Sequence, residues 1–299
     1  MTDLSIEIGG VKLANPVIAA SGTFGYGREY AQLIDVDRLG GICTKGITIL
    51  PRDGNPPPRL WETPSGLLNS IGLENPGIEA FLRDELPEMK KRGWTTIINI
   101  WGETAAEYGA LACRLAGSGA DVLEVNVSCP NVPGTRLGER EDAVRDVVAA
   151  VCDSWQGAIW VKLPPDAGIH VARAAIEAGG DAIVASNTFR AMAIDIARRA
   201  PVFDRGVAGL SGPAIKPIAL RVVYELCQAI DAPVIGCGGI RTWRDALEFA
   251  LAGAAAVEVG TAHYVDPCCG IAIVEGLEAY LRERKTSWGD IRGEALRKT

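Results

Sequence analysis

Residues 122 to 131 read VLEVNVSCPN, an apolar run that breaks into polar residues, a cysteine and a proline. VLEVN is short for a helix and lacks the strict alternation of a half-exposed strand, so it reads as a strand of a sheet covered on both faces. Comparable runs follow one another along the chain: PVIAA (16 to 20), GGICT (40 to 44), TIINI (96 to 100), AIWVK (158 to 162), DAIVA (181 to 185), APVIG (232 to 236) and AAVEV (255 to 259). Between them lie stretches with helical spacing of apolar residues, such as AVRDVVAAVCDSW and WRDALEFALAGA, several of them stopped by glycine. Eight such units in 299 residues predict an α/β protein, a closed (β/α)8 TIM barrel forming one domain over 1–299, rather than an open doubly wound sheet. A short N-terminal β-hairpin, LSIEI then GG then VKLA, precedes the first unit. Residues 46 to 76 and 186 to 215 exceed what one helix needs; they are expected to be long irregular loops over the C-terminal face.

The composition fits an ordinary globular protein, with 48% hydrophobic and 22% charged residues. A net charge of -7 without a basic block gives no electrostatic footprint for nucleic acid or an anionic membrane. The N-terminus MTDLSIEIGG has no basic segment or apolar core of a targeting signal, and no stretch is long enough to span a bilayer, so a cytoplasmic protein is expected. The eight cysteines are scattered without a C-x-x-C pair. Neither a disulfide frame nor a zinc or iron–sulfur site is expected.

In a barrel of this kind the chemistry sits at the C-terminal ends of the strands. There the sequence places Ser21, Lys45 and Gly46, Asn99, Asn126 with Ser128 and Cys129, Lys162, Asn187 and Thr188, Gly238 and Gly239, and Gly260 and Thr261. Glycine turns after the last two strands offer backbone N–H groups to a phosphate. Lys45 and Lys162 are open to three readings: a rim lysine paired with a carboxylate, a cation beside the pyrimidine end of a flavin, or a Schiff-base nucleophile of an aldolase. Cys129 is a buried thiol or a reactive one; its polar neighbours and Pro130, which prevents simple continuation into a helix, favour a thiol held over the barrel mouth. His170 and His263 lack the spaced partners of a metal site and read as structural.

The segments SGTFGYGREY, KGIT with GNPPPR, ETPSGLLNSIGLENPG, NVSCPNVPG, SNTFRAMAID, GLSGPAIKPIALR, GCGGI and VGTAHY resemble, in order and over nearly the whole chain, the flavin-dependent dihydroorotate dehydrogenases. The cysteine form of the active-site loop and GLSGPAIKP resemble the catalytic subunit of class 1, subtype B; VPG behind the cysteine is closer to the fumarate-using subtype A. The resemblance implies FMN, one per chain, held by Ser21, Lys45, Gly46, Asn99, Asn126, Lys162, Ser186, Gly212, Gly238, Gly239, Gly260 and Thr261. It implies that dihydroorotate meets Lys45, Asn69, Ser70, Ile71, Gly72, Leu73, Asn126, Asn187 and Thr188. Cys129 matches the catalytic base, taking the C5 proton while the C6 hydride goes to the flavin N5, in the route to UMP. The resemblance further implies a homodimer core and an electron-transfer subunit carrying FAD and a 2Fe-2S cluster, giving a heterotetramer that delivers electrons to NAD. A fumarate-dependent or related dihydropyrimidine dehydrogenase is the near alternative, and a Schiff-base aldolase using Lys162 or Lys45 the remote one. A silent binding protein on the same barrel is a further reading.

Overall fold

The computed structural model describes residues 3 to 128 and 137 to 298. A hairpin of β1 (Ile6–Ile8) and β2 (Val11–Leu13) opens the chain, with Ile6 opposite Leu13. The barrel begins with β3 (Val17–Ala19) and β4 (Gly41–Cys43). The first long connection contributes β5 (Leu60–Thr63) and β6 (Gly66–Asn69), after which β7 (Thr96–Ile100), β8 (Val122–Asn126), β9 (Ala158–Lys162) and β10 (Ala182–Ala185) continue the barrel. The second long connection holds β11 (Phe189–Ala191), β12 (Ile194–Asp195), β13 (Ala200–Pro201) and β14 (Ala208–Ser211); β15 (Val234–Cys237) and β16 (Ala256–Val259) complete the chain's strands. Eight parallel strands close in the order β10-β15-β16-β3-β4-β7-β8-β9, as the eight apolar runs predict.

The covering helices are α1 (Ile78–Ala80) and α2 (Leu86–Lys91), joined by π-helical Phe81–Glu85, then α3 (Ala105–Leu115), α4 (Glu141–Cys152), α5 (Ile169–Glu177), α6 (Lys216–Ala229), α7 (Trp243–Leu251), α8 (Ala262–Val265), α9 (Cys269–Arg284) and α10 (Trp288–Ile291). Their starts follow local chemistry. Thr104 Oγ1 accepts from Glu107 N at the head of α3, and Thr242 with Asp245 forms a reciprocal capping box on α7.

Strand parity divides the side chains between two cores. On β8 and β9, Leu123, Val125, Ile159 and Val161 point outward to the helices, whereas Val122 and Trp160 join Ile18, Ile97, Val184 and Ile235 inside the barrel. Ile8 and Leu13 of the hairpin, each 1% exposed, belong to that inner cluster. The hairpin therefore stoppers the N-terminal end of the barrel with apolar side chains. Higher along the same inward rows stand Asn99, Glu124, Asn126, Lys162 and Glu258, all buried.

The two long connections are not irregular, contrary to expectation. Their strands pair across the chain in an antiparallel sheet of order β11-β14-β6-β5, with Gly209 opposite Asn69 and Leu210 opposite Leu68. Leu68, Val202, Phe203 and Ala208 give this sheet its own small core. β12 and β13 form a further two-stranded ribbon.

Candidate active site

At the floor of the C-terminal cavity lies Lys162, the last residue of β9, its side chain 4% exposed. Its Nζ donates to Glu258 Oε2 at 2.6 Å and to Ser21 Oγ at 3.3 Å, and stands 3.4 Å from Glu124 Oε1. Asn99 Nδ2 donates to Glu124 Oε1. Both glutamates point inward from mid-strand, two residues below the strand-end position on β8 and one below it on β16. The two carboxylates beside Lys162 outweigh its desolvation and push its ammonium well above the ordinary lysine range. Held charged in this way, Lys162 is a fixed cation and a poor amine nucleophile.

Above the floor an amide network forms one wall. Asn126 Oδ1 accepts from Ser128 N (3.1 Å) and Ser128 Oγ (2.9 Å), and Asn187 Nδ2 reaches Ser128 Oγ at 2.6 Å. Tyr108 OH donates to the Asn126 carbonyl at 2.7 Å, which ties the end of β8 to α3. Asn187 Oδ1 accepts from Thr188 N at 2.7 Å. Asn69 enters from the sheet above, donating to Gly209 O at 3.2 Å. Lys45 is half-buried, and burial moves its ammonium below the ordinary range.

The opposite end is built of backbone turns. Gly212 precedes the single turn Pro213–Ile215 that leads into α6, and Gly238 and Gly239 follow β15. Gly239 has φ +74, and a Cβ there would lie 2.7 Å from Lys216 N, so only glycine lets this turn close against the start of α6. Thr261 Oγ1 donates to Ser211 Oγ at 2.7 Å. A cavity of about 690 Å³ joins floor, wall and rim, within the range of small-molecule and cofactor sites.

Of the residues singled out in the sequence, Ser21, Lys45, Gly46, Asn69, Ile71, Gly72, Leu73, Asn99, Asn126, Lys162, Ser186, Asn187, Thr188, Gly212, Gly238, Gly239, Gly260 and Thr261 all line this cavity. Ser70 faces away from it: Ser70 is 2% exposed, and its Oγ and carbonyl accept from Asn55 Nδ2 at 3.0 and 3.2 Å. Parity explains the difference, because Asn69 and Ser70 are consecutive and extended residues alternate in direction. Cys129 lies outside the described residues, directly after Ser128.

Glu124 and Glu258 were passed over in the sequence. A carboxylate at inward parity within an otherwise apolar strand was the available signal. Together with Cys43 they bring three ligand-type atoms within 4.8 Å of one another. The Lys162 ammonium, 2.6 Å from Glu258, already supplies the cation there. His263 is 1% exposed and packs edge-on to Phe24, with ring centroids 4.9 Å apart, in keeping with a structural role.

The family described as Dihydroorotate dehydrogenase matches the chain over residues 3–281. A Thermoanaerobacter pseudethanolicus protein named "Dihydroorotate dehydrogenase B (NAD(+)), catalytic subunit" is 50% identical over 283 residues, covering 93% of this chain and 94% of that protein. Proteins of the same name from Geotalea uraniireducens (49% over 291 residues, 94% of each chain) and Petrotoga mobilis (46% over 298 residues, 98% and 99%) are similar throughout. Among solved structures, an Eimeria tenella DHODH in complex with ferulenol superposes with a TM-score of 0.82 over 97% of this chain and 88% of that one. At 22% identity this last likeness speaks to the fold.

Proposed function

Because the chain belongs to the dihydroorotate dehydrogenase family, we propose that it oxidises (S)-dihydroorotate to orotate in pyrimidine biosynthesis, as the catalytic subunit of an NAD-linked enzyme. The observation that carries this reading is a cavity in which a fixed lysine cation, a cluster of neutral amides and a glycine-turn rim face one another.

These residues suit FMN. Lys162, Asn99 and Asn126 offer a cation and amides to an acidic imide ring, and the turns at Gly212, Gly238, Gly239 and Gly260 offer backbone N–H groups to a phosphate. FMN, when bound, supplies the hydride-accepting ring. Lys162 would hold a positive charge beside bound FMN and so favour the negatively charged reduced ring. Asn69, Asn126, Asn187 and Thr188 provide donors and acceptors that match a pyrimidine ring and its carboxylate. The sheet of β11, β14, β6 and β5 contributes to the cavity lining and limits water in the site. Cys129, next to the Asn126–Ser128–Asn187 network, is assigned as the base for the C5 proton.

A partner subunit carrying FAD and a 2Fe-2S cluster would take the electrons to NAD, on a homodimer of this chain and in the cytoplasm. No helix among the described residues is long and apolar enough to cross a membrane. The test is direct. Purified protein is expected to be yellow, with one FMN per chain, and to form orotate with NAD only when the partner is present. A colourless protein that FMN does not reconstitute would overturn the flavin reading. Efficient turnover with fumarate and no associating partner would replace the NAD assignment with the subtype A reaction. Borohydride trapping of an aldehyde substrate would restore the Schiff-base reading, which the charged state of Lys162 opposes at that residue and which Lys45, its ammonium lowered by burial, would then carry.

A further inference from the structure

The floor of the cavity has two carboxyl groups and one lysine. Glu124 and Glu258 have fully buried side chains, and Lys162 is 4% exposed. Each carboxyl uses one oxygen: Glu258 Oε2 takes Lys162 at 2.6 Å, and Glu124 Oε1 takes Asn99 and faces Lys162 at 3.4 Å. The other two oxygens, Glu124 Oε2 and Glu258 Oε1, are buried without a nitrogen or oxygen donor among the described residues. Besides Lys162 and Asn99, the only polar hydrogens facing Glu124 and Glu258 among those residues are the weakly donating thiols of Cys43 and Cys237. The groups are close enough to bond to one another, and one oxygen of each lies within 4.8 Å of the other and of Cys43 Sγ. Fully ionised, the three groups would leave one uncompensated negative charge in the barrel interior, and two carboxylates this close disfavour joint ionisation.

The geometry points to one proton shared between Glu124 and Glu258, which leaves Lys162 balanced by a single carboxylate and makes the pair positioning residues for the lysine under the cofactor site. One shared proton gives the carboxyl pair a strong donor of its own and brings the cluster to net zero. Burial and the Glu124 charge push Glu258 up, to about 8, although Glu258 has the shorter contact with Lys162; the proton therefore belongs to the pair rather than to either residue. The remaining groups facing the pair are Asn99, Cys43 on β4 and Cys237 on β15. Both thiols are pushed up, chiefly by burial, and stay neutral. The lysine is thereby kept as a cation of fixed net effect across neutral pH. Loss of the shared proton in mildly alkaline solution would add a negative charge beneath the ring.

The electrostatic consequence rests on the flavin reading; the shared proton does not. Infrared difference spectra of the purified protein, unlabelled and with ¹³C-glutamate, are expected to show a protonated-carboxyl C=O band at neutral pH that moves with the label. Glu258→Gln and Glu124→Gln should each abolish it, since either leaves one carboxylate for one lysine. Absence of the band in the wild-type protein overturns the proposal without recourse to any variant, and so does a band that survives both substitutions. In the FMN-loaded protein the flavin reduction potential should bend to a steeper fall with pH above neutrality, and Glu258→Gln should remove that bend. An unchanged pH slope in the variant would reduce the pair to a structural role. A colourless protein that keeps the band would sink the flavin reading and leave the shared proton standing.

Discussion

Glu124 and Glu258 show how much a single residue hides in an apolar run: each is one carboxylate inside a strand, and its meaning depends on what the barrel brings opposite. Cys129 is the reverse case, marked in sequence by its neighbours and proposed as the base on the family resemblance, while lying outside the described residues. A free thiol titrates near ~8.5, so little thiolate is present at neutral pH and flavin reduction by dihydroorotate should accelerate as pH rises through that range. Cys129→Ser should slow this step by about 10²- to 10⁴-fold while FMN content stays at one per chain. Stopped-flow absorbance of the flavin measures it, and an unaltered rate would remove Cys129 from the chemistry. His263 makes a second residue-scale prediction. Burial pushes its imidazole from 6.5 down to about 4, partly offset by the carbonyls of Gly260 and Val259. The unfolded chain therefore takes up this proton below about 6.5 while the folded chain does so only below about 4. The contribution is complete above the unfolded value and is lost as pH falls through the window, costing about 2 kcal/mol between pH 7 and pH 5. Denaturant midpoints at the two pH values should differ less in His263→Leu than in the wild type. Equal differences would show that another group titrates there.

The barrel strands were legible because each is buried on both faces and ends in a residue of distinct chemistry; AIWVK reads outward-facing Ile159 and Val161, then inward Trp160 and Lys162, once the parity is known. The covering sheet was not legible. Its central pairing joins Asn69 to Gly209 across 140 positions, and β6 and β14 are short, glycine-containing segments whose partner no local pattern reveals. The same limit explains Ser70, whose direction follows from strand pairing that the glycine-rich composition concealed. This pairing has a functional corollary. A Cβ at Gly209 would meet Thr188 Oγ1 at 2.3 Å and Asn69 Nδ2 at 3.2 Å, two side chains that line the cavity. Gly209→Ala must move the threonine hydroxyl, a misfit of the kind that costs about 1–3 kcal/mol. Spent on substrate positioning, that corresponds to KM raised about tenfold, with a smaller change in kcat. Steady-state kinetics with dihydroorotate decide it, and an unchanged KM would mean that this sheet merely covers the site.

Across the whole molecule the barrel interior is graded from apolar to ionic along its axis. The N-terminal end is closed by Ile8 and Leu13 against Ile18, Ile97, Trp160 and Ile235, and the C-terminal end carries Lys162 and its carboxylates. Conserving charge at one end and oil at the other separates stability from chemistry in space, the division expected between the two faces of such barrels. Leu13 tests the separation because it is 1% exposed, belongs to the hairpin rather than to a barrel strand, and is not among the residues that line the cavity. Leu13→Ala removes buried methyl groups from a closed core and should cost about 2–5 kcal/mol, since the surrounding strands are tied by the barrel and relax little. A lowered urea midpoint with an unchanged KM for dihydroorotate and an unchanged flavin spectrum is the expected result. Gly209→Ala should instead raise KM, with the midpoint lowered only by the smaller overpacking cost of about 1–3 kcal/mol. If Leu13→Ala instead altered the flavin spectrum before it altered stability, the inner core would be transmitting packing from the stopper to the Lys162 floor, and the two ends would have to be treated as one cooperative unit.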